Sequence, residues 1–454
     1  MSRVEPATGS ARDEAARLLR LAGPVIVAYL GTVAMGVVDA MMVGRLGAGA
    51  LAAVALANTW NFGVVIVALG ASRALDPLVA QAHGAGDRRT VGLGLSLGLA
   101  MGALLAPPVM ILFAFAGPAL SALGQPGELI GPAGAYCRAL IWGVPGLVGF
   151  AVCRQFMQAL GRMRPGTIAV VLANFVNAGL NVVLIYGKLG FPALGALGSG
   201  YATAVSQWFM LGAMLWLGRD SFRGHWLGWR ERLAWRSLGR VLGMGLSLGF
   251  QMGLEVWAFH AAGLMIGWLG AASLAAHAIA MNLATLSFMV PAGLSAASAT
   301  RVGHLVGAGH AWSRTARVAV LLGIGVMTVP AIAFVSVPRL LVGFYTGEAA
   351  VIALAASLLP LAGAFQLFDG VQVVAFGVLR GAGDVHVPSV ANFVGYWILG
   401  LPVGWLLAFK LGLGARGIWI GLVVALVVIA GLLLARVAIR GQLPNYPRPG
   451  SNLQ

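Results

Sequence analysis

Charged side chains are scarce in this sequence. They make up 9% of 454 residues, against 59% apolar, and the mean hydropathy is +0.90. A soluble domain carries about 25% charge, so this composition excludes one and marks a polytopic membrane protein. Acidic residues are rarer than basic ones, 13 against 29, and lysine occurs only at Lys188 and Lys410. The two cysteines, Cys137 and Cys153, fall on one expected helix, about 24 Å apart at 1.5 Å per residue. That separation excludes a disulfide between them, and no Cys metal site follows. The first 20 residues carry charges of both signs and no apolar core, so no cleavable signal is expected and the first membrane helix directs insertion. HExxH, GxSxG, a P-loop and clustered DxxD motifs are missing from the spans, which leaves a polytopic membrane enzyme as a distant alternative.

What the chain has is long apolar runs, each sufficient for a hydrocarbon core about 30 Å thick. Twelve are expected, near 23–45, 49–72, 91–117, 130–152, 165–187, 194–217, 241–268, 272–297, 315–337, 350–378, 388–410 and 414–436. The net charge of +16 is explained by where the basic residues fall. Arg12, Arg17, Arg20, Arg88, Arg89, Arg162, Arg164 and the cluster from Arg219 to Arg240 share one side. Only Arg45, Arg138, Lys188, Arg339, Lys410 and Arg416 take the other. By the positive-inside rule both termini are cytoplasmic. This distribution accounts for the charge through the lipid bilayer, and no nucleic-acid partner is expected.

The chain repeats itself. A shift of 223 residues lays Gly44, Leu46, Gly47, Ala48 and Leu51 on Gly267, Leu269, Gly270, Ala271 and Leu274, Gly84-Ala85-Gly86 on Gly307-Ala308-Gly309, and Pro165 on Pro388. Six spans per copy is an even number, so both copies enter the membrane in the same sense, around an axis along the membrane normal, with substrate between them. The expected organisation is an amphipathic cytoplasmic segment at 1–22 ending where Pro24 begins helix 1, a six-helix lobe at 23–217, a cytoplasmic linker at 218–240, a second lobe at 241–436, and a cytoplasmic tail at 437–454 that is polar, Pro-rich and disordered from Gly441.

Three carboxylates lie well inside expected spans: Asp39, Glu255 and Asp369. Each costs roughly 2.5 to 3.5 kcal/mol on insertion scales, so three together point to function. A buried carboxylate of this kind can exchange H⁺ or Na⁺ for a cationic substrate; the bland alternative is a group merely hydrogen-bonded inside the bundle. Asn174, Asn177 and Asn181 share one helix face, either around Asp39 or as interhelical hydrogen-bond glue. Gln251, Gln366, Gln372 and Asn282 carry the same ambiguity. His260 and His277 lack partners at metal-ligand spacing and are packing or pocket residues. Pro145, Pro291, Pro330, Pro360 and Pro402 suggest kinks. The 16 methionines and the aromatics suit a pocket for flat organic cations, or simply core packing.

Several stretches resemble the multidrug and toxic compound extrusion (MATE) family, in its NorM-like bacterial branch. They are VVDAMMVGRLGAGALAAV at 37–54, QAHGAGD at 81–87, IYGKLGFPALGALGSGYAT at 185–203, LEVWAF with LGAASLAAHAIAMN around 254–282, and LFDGVQVVAFGVLRGAGDVHVP at 367–388. The resemblance covers nearly the whole chain. It implies an all-α integral membrane fold of twelve transmembrane helices in two parallel six-helix repeats, forming a V-shaped transporter of the bacterial inner membrane that is monomeric. It also implies antiport of amphipathic organic cations against Na⁺ or H⁺ as coupling ion, with no cofactor. Asp39 matches the family's helix-1 carboxylate, with Asn177 and Asn181 as partners and Asn174 in the same polar cluster. Glu255 and Asp369 match the pair that forms a cation site in the C-terminal lobe. Weaker substrate contacts are expected from Asp39, Asp369, Gln251, Gln366 and Asn282. Ala278 departs from the Gln frequent in relatives, and Val385-His386 from Thr-Arg. A lipid-linked saccharide flippase shares the architecture, but would line its cavity with basic residues, whereas the charges expected within these spans are acidic.

Overall fold

The computed structural model describes residues 10–225 and 235–441. The first nine residues, the middle of the expected linker and the polar tail from 442 onward lie outside the described residues. All regular structure among the described residues is helical. The first half holds α1 (Ala11–Gly44), α2 (Ala48–Ser72), α3 (Leu75–Gly84), α4 (Arg88–Ala114), α5 (Ala116–Ala122), α6 (Gly127–Ile141), α7 (Val144–Ala159), α8 (Arg164–Tyr186), α9 (Ala196–Leu217) and the short α10 (Arg219–His225). The second holds α11 (Trp235–Gly267), α12 (Ala271–Gly307), α13 (Ser313–Ser336), α14 (Pro338–Gly343), α15 (Ala349–Gly381), α16 (His386–Lys410) and α17 (Ala415–Gly441). The 223-residue shift carries α1 onto α11, α2 with α3 onto α12, α4 onto α13, and α6 with α7 onto α15.

Ten helices among the described residues are long and apolar enough to cross a membrane, eleven if α6 and α7 count as one bent span. The one expected run left over, the sixth at 194–217, is α9, 22 residues long. It carries Ser199, Thr203, Ser206 and Gln207, and these polar side chains keep it below the apolarity of the others. The run expected at 130–152 is not straight. It bends by 53° between α6 and α7, with Pro145 in the first turn of α7, where a missing N–H costs no helical bond. Cys137 and Cys153 therefore sit on two helices, both buried and free. In α16 the widened turns at Val394–Gly400 and Leu406–Lys410 flank Pro402 and accommodate its ring.

Pro24 does not begin helix 1. α1 starts thirteen residues earlier at Ala11 and runs through it. A capping box starts it: the Ser10 hydroxyl accepts from the Asp13 amide at 3.2 Å, and the Asp13 carboxylate accepts from the Ser10 amide at 2.9 Å. Nor is the amphipathic stretch a free surface segment. Leu18 and Ala22 are buried in a cluster with Leu294, Ala297 and Val302 of α12, so this face packs on the other half.

Each half keeps its own apolar core. Phe156, Met157 and Leu95 centre one cluster of the first half, Tyr136 and Ile185 another, while Trp419, Tyr396 and Phe365 centre the second half's. The halves meet chiefly through α1, α2 and α3 against α11 and α12. At Gly84 a Cβ would run into the backbone carbonyl of His304, and at Gly307 into that of Gln81. The shift maps Gln81 onto His304 and Gly84 onto Gly307, so these are one contact made twice, as a two-fold relation requires. Glycine lets the two backbones touch there.

Candidate functional site

Between the halves lies a cavity of about 1010 Å³, large enough for a drug-sized molecule. Its walls mix polar, aliphatic and aromatic side chains, the aromatic and thioether ones including Tyr29, Phe62, Phe259, Phe288, Met252 and Met289. α11 supplies Gln251, Glu255 and His260, α12 supplies His277 and Ala278, and α15 supplies Asp369 and Gln372.

Glu255 stands in an amide network. Asn392 donates to its Oε2 at 3.1 Å, Gln251 donates to the same oxygen at 3.4 Å, and Gln372 donates to Oε1 at 3.4 Å. The Tyr396 hydroxyl donates to Gln372 Oε1 at 3.1 Å, which turns the amide nitrogen of Gln372 toward the carboxylate. The Trp397 indole donates to the Leu254 carbonyl at 2.9 Å and pins α16 to α11 one residue from Glu255. Asp369, one turn before Gln372 on α15, is buried and receives no hydrogen bond among the described residues. Two acidic side chains thus share one wall, one supported by amides and one not.

Asp39 forms a second centre within the first half. Asn181 donates to its Oδ1 at 2.5 Å and Thr203 to its Oδ2 at 3.0 Å. Asn181 also donates to Asn177 at 3.1 Å, and Asn177 to Thr203 at 3.4 Å, closing a ring of α1, α8 and α9 side chains. Neither Asp39 nor these partners line the cavity. Asn174 stays out of the ring, since its amide donates to the Val170 carbonyl of its own helix. Gln366 is buried against Ser287 and the Ala284 carbonyl. Asn282 is exposed, accepts from the Tyr345 hydroxyl at 2.8 Å, and lies off the cavity wall, as Gln366 does.

Thr203, Asn392 and Tyr396 were not singled out from the sequence. The available signal was a polar side chain on an apolar helix, weak for a single residue. A larger omission concerns charge. Arg73 and Arg380 line the cavity, so the intramembrane charges are not acidic only. Arg380 Nε lies 2.8 Å from Asp76 Oδ2, with both side chains almost wholly buried, and Gln155 donates to the other Asp76 oxygen. The Arg301 guanidinium grips Glu14 with Nε to Oε1 at 2.8 Å and Nη2 to Oε2 at 3.1 Å, while Thr315 donates to Glu14 at 2.7 Å. Gln81 donates to the Gly381 carbonyl and Thr300 to the Gln158 carbonyl. Apart from Trp257 to the Gly63 carbonyl, the cross-half polar bonds among the described residues all lie toward the end carrying the two Gly-Ala-Gly turns.

This geometry can be compared with known proteins. The MatE family model matches twice, at residues 24–183 and 247–406, two stretches offset by the same 223 residues as the internal repeat. The chain belongs to the MatE family. Curated relatives of this MatE protein include the probable multidrug resistance protein NorM of Mesorhizobium japonicum, 40% identical over 441 residues and 94% of each chain. The multidrug resistance protein PmpM of Pseudomonas aeruginosa is 37% identical over 444 residues, 94% of this chain and 92% of that one. Among solved structures, the eukaryotic MATE transporter AtDTX14 superimposes with a TM-score of 0.87 at 26% identity, covering 94% of this chain and 96% of its own. An outward-facing multidrug resistance MATE transporter gives 0.83 at 19% identity, over 98% and 99%, and shows the shared fold. The MatE architecture, an all-helical membrane protein built of two repeats, is therefore this chain's own.

Proposed function

We propose that this MatE protein is a secondary active antiporter that exports amphipathic organic cations in exchange for Na⁺ or H⁺. The observation that carries the reading is the drug-sized cavity between the repeats, with Glu255 and Asp369 on an aromatic wall. Aromatic faces and carboxylates together suit a flat cation, and the names of NorM and PmpM, both multidrug resistance proteins, support the same substrate class. Glu255 and Asp369 bind the coupling ion. The amide nitrogens of Gln372 and Asn392 donate to Glu255 and hold its carboxylate in place for either ion. Ion and drug compete for the same negative charge, which is the differential affinity that exchange requires. Asp39 contributes to coupling from its Asn177, Asn181 and Thr203 ring.

The protein is a multi-pass protein of the bacterial inner membrane. The basic loops put the Gly-Ala-Gly end and both termini in the cytoplasm. The polar bonds near that end then close the inner side, and the cavity faces outward. The division into lobes at 23–217 and 241–436, joined by a cytoplasmic linker at 218–240, belongs to the same reading. Efflux of a fluorescent cation from proteoliposomes, with a Na⁺ gradient and a pH gradient imposed separately, tests the reading. Export driven by one gradient is expected; no response to either overturns it.

A further inference from the structure

The cavity floor carries a guanidinium, that of Arg73, which no described carboxylate contacts at hydrogen-bond or ion-pair distance; Asp76 and Glu255 act on it only through space. Asp76 commits one carboxylate oxygen to Arg380 and the other to Gln155, which leaves neither for contact with Arg73. Arg380 also lies over the Phe376 ring, 5.4 Å from its centroid, and its Nη1 is buried with no acceptor. Arg73, three residues before Asp76, is half-buried on the cavity wall, and its guanidinium makes no hydrogen bond or ion pair with the described residues. The floor therefore holds two guanidiniums with unused donors, and only Arg380 is in contact with a carboxylate.

Position in the repeat sharpens this. The helix is interrupted at Arg73 and Ala74, between α2 and α3, while the matching stretch of α12 runs through without a break. The residue that corresponds to Arg73 is Ala296, which also lines the cavity. The break and the guanidinium are thus specific to the first half, and they face the carboxylates of the second across one space.

We propose that Arg73, with Arg380 behind it, is a subsite for the carboxylate of an amphoteric substrate whose cationic end lies at Glu255 and Asp369. A guanidinium suits a carboxylate because its planar fork matches the two oxygens. The proposal rests on the reading that this cavity holds the transported molecule. It adds that a substrate bearing both charges is held at both ends, whereas a pure cation leaves Arg73 unmatched.

Rhodamine B and its ethyl ester test this, since they share one xanthylium cation and differ in a free carboxylate. Equilibrium binding of each to the purified full-length protein in detergent gives a ratio of the two Kd values and needs no gradient. In Arg73→Gln the ratio is expected to shift at least tenfold against the free acid, and in Arg73→Lys to stay within about threefold of the parent. A ratio unchanged in Arg73→Gln, whatever the absolute affinities, overturns the subsite while leaving the cavity assignment intact. Binding of neither dye to the parent protein overturns the cavity assignment and the subsite with it.

Discussion

The two halves of this MatE protein share a backbone plan and divide the chemistry. The 223-residue shift pairs their long helices and places the Gly84 and Gly307 contacts on either side of one axis. Polar positions do not follow it. Asp39 corresponds to Ala262, Glu255 to Thr32 and Asp369 to Gly146, while Asn177, Asn181 and Asn392 correspond to Gly400, Gly404 and Ala169. The first half encloses its carboxylate in a ring of hydrogen bonds away from the cavity; the second puts both of its carboxylates on the cavity wall. Packing constrains both copies alike, because each must bury similar faces against its twin. A polar group has to justify its insertion cost by itself, and needs to do so in only one copy.

The largest test of that division is removal of charge from the second half. Glu255→Gln with Asp369→Asn is expected to bring gradient-driven efflux down to that of protein-free liposomes, while size-exclusion behaviour shows folded protein. Unimpaired transport would remove the assignment. Asp39→Asn, by contrast, should leave drug binding measurable in detergent, since Asp39 does not line the cavity.

The cross-half ion pairs come next. Arg380→Met leaves Asp76 buried without its partner and should cost about 3–5 kcal/mol in denaturant or thermal unfolding. The repeat shows an apolar solution at the same places, Met157 for Arg380 and Ala299 for Asp76. Asp76→Ala combined with Arg380→Met should accordingly recover most of the loss. A double variant as unstable as the single one would contradict the buried-charge account.

Smaller and symmetric effects are expected at the glycines. Gly84→Ala and Gly307→Ala each push a methyl into a backbone carbonyl of the other half and should each destabilise by about 1–3 kcal/mol. A cost at one site and none at the other would break the two-fold reading.

The smallest test concerns a cap that only one half possesses. Asp87 caps α4, accepting from the Thr90 amide at 3.0 Å and its hydroxyl at 2.6 Å, whereas α13 has Trp312 at its N-cap and no side-chain bond there. Partial burial works against the Asp87 carboxylate, but the Thr90 bonds outweigh it and hold its pKa below the usual 3.8. A depressed folded value means the stabilisation is complete above the unfolded pKa and is lost as pH falls through the folded one. Asp87→Ala should therefore cost about 1 kcal/mol at pH 6 and almost nothing at pH 2, read from unfolding midpoints.

The sequence exposed the site as far as insertion cost could. Glu255, Asp369 and Asp39 stand out because each is an acid within an apolar run, and Asn177 with Asn181 because they share a helix face. Asp76, Arg73 and Arg380 escaped because hydropathy ended the second run at residue 72 and the tenth at 378, just short of them. α2 and α3 actually continue to Gly84, and α15 to Gly381. Asn174 and Asn282 shared the composition of the true partners and differ only in direction, one turned to its own helix and the other to Tyr345.

Sequence alone determined the membrane class, the duplication and the three costly carboxylates, since these follow from composition, self-similarity and transfer free energy, none of which needs contacts. Tertiary structure decided which carboxylates share a cavity, that α1 docks through Glu14 onto the other half, and that Asp76 and Arg380 join the repeats. Those outcomes depend on side chains hundreds of residues apart meeting at hydrogen-bond distance, and no local pattern encodes that.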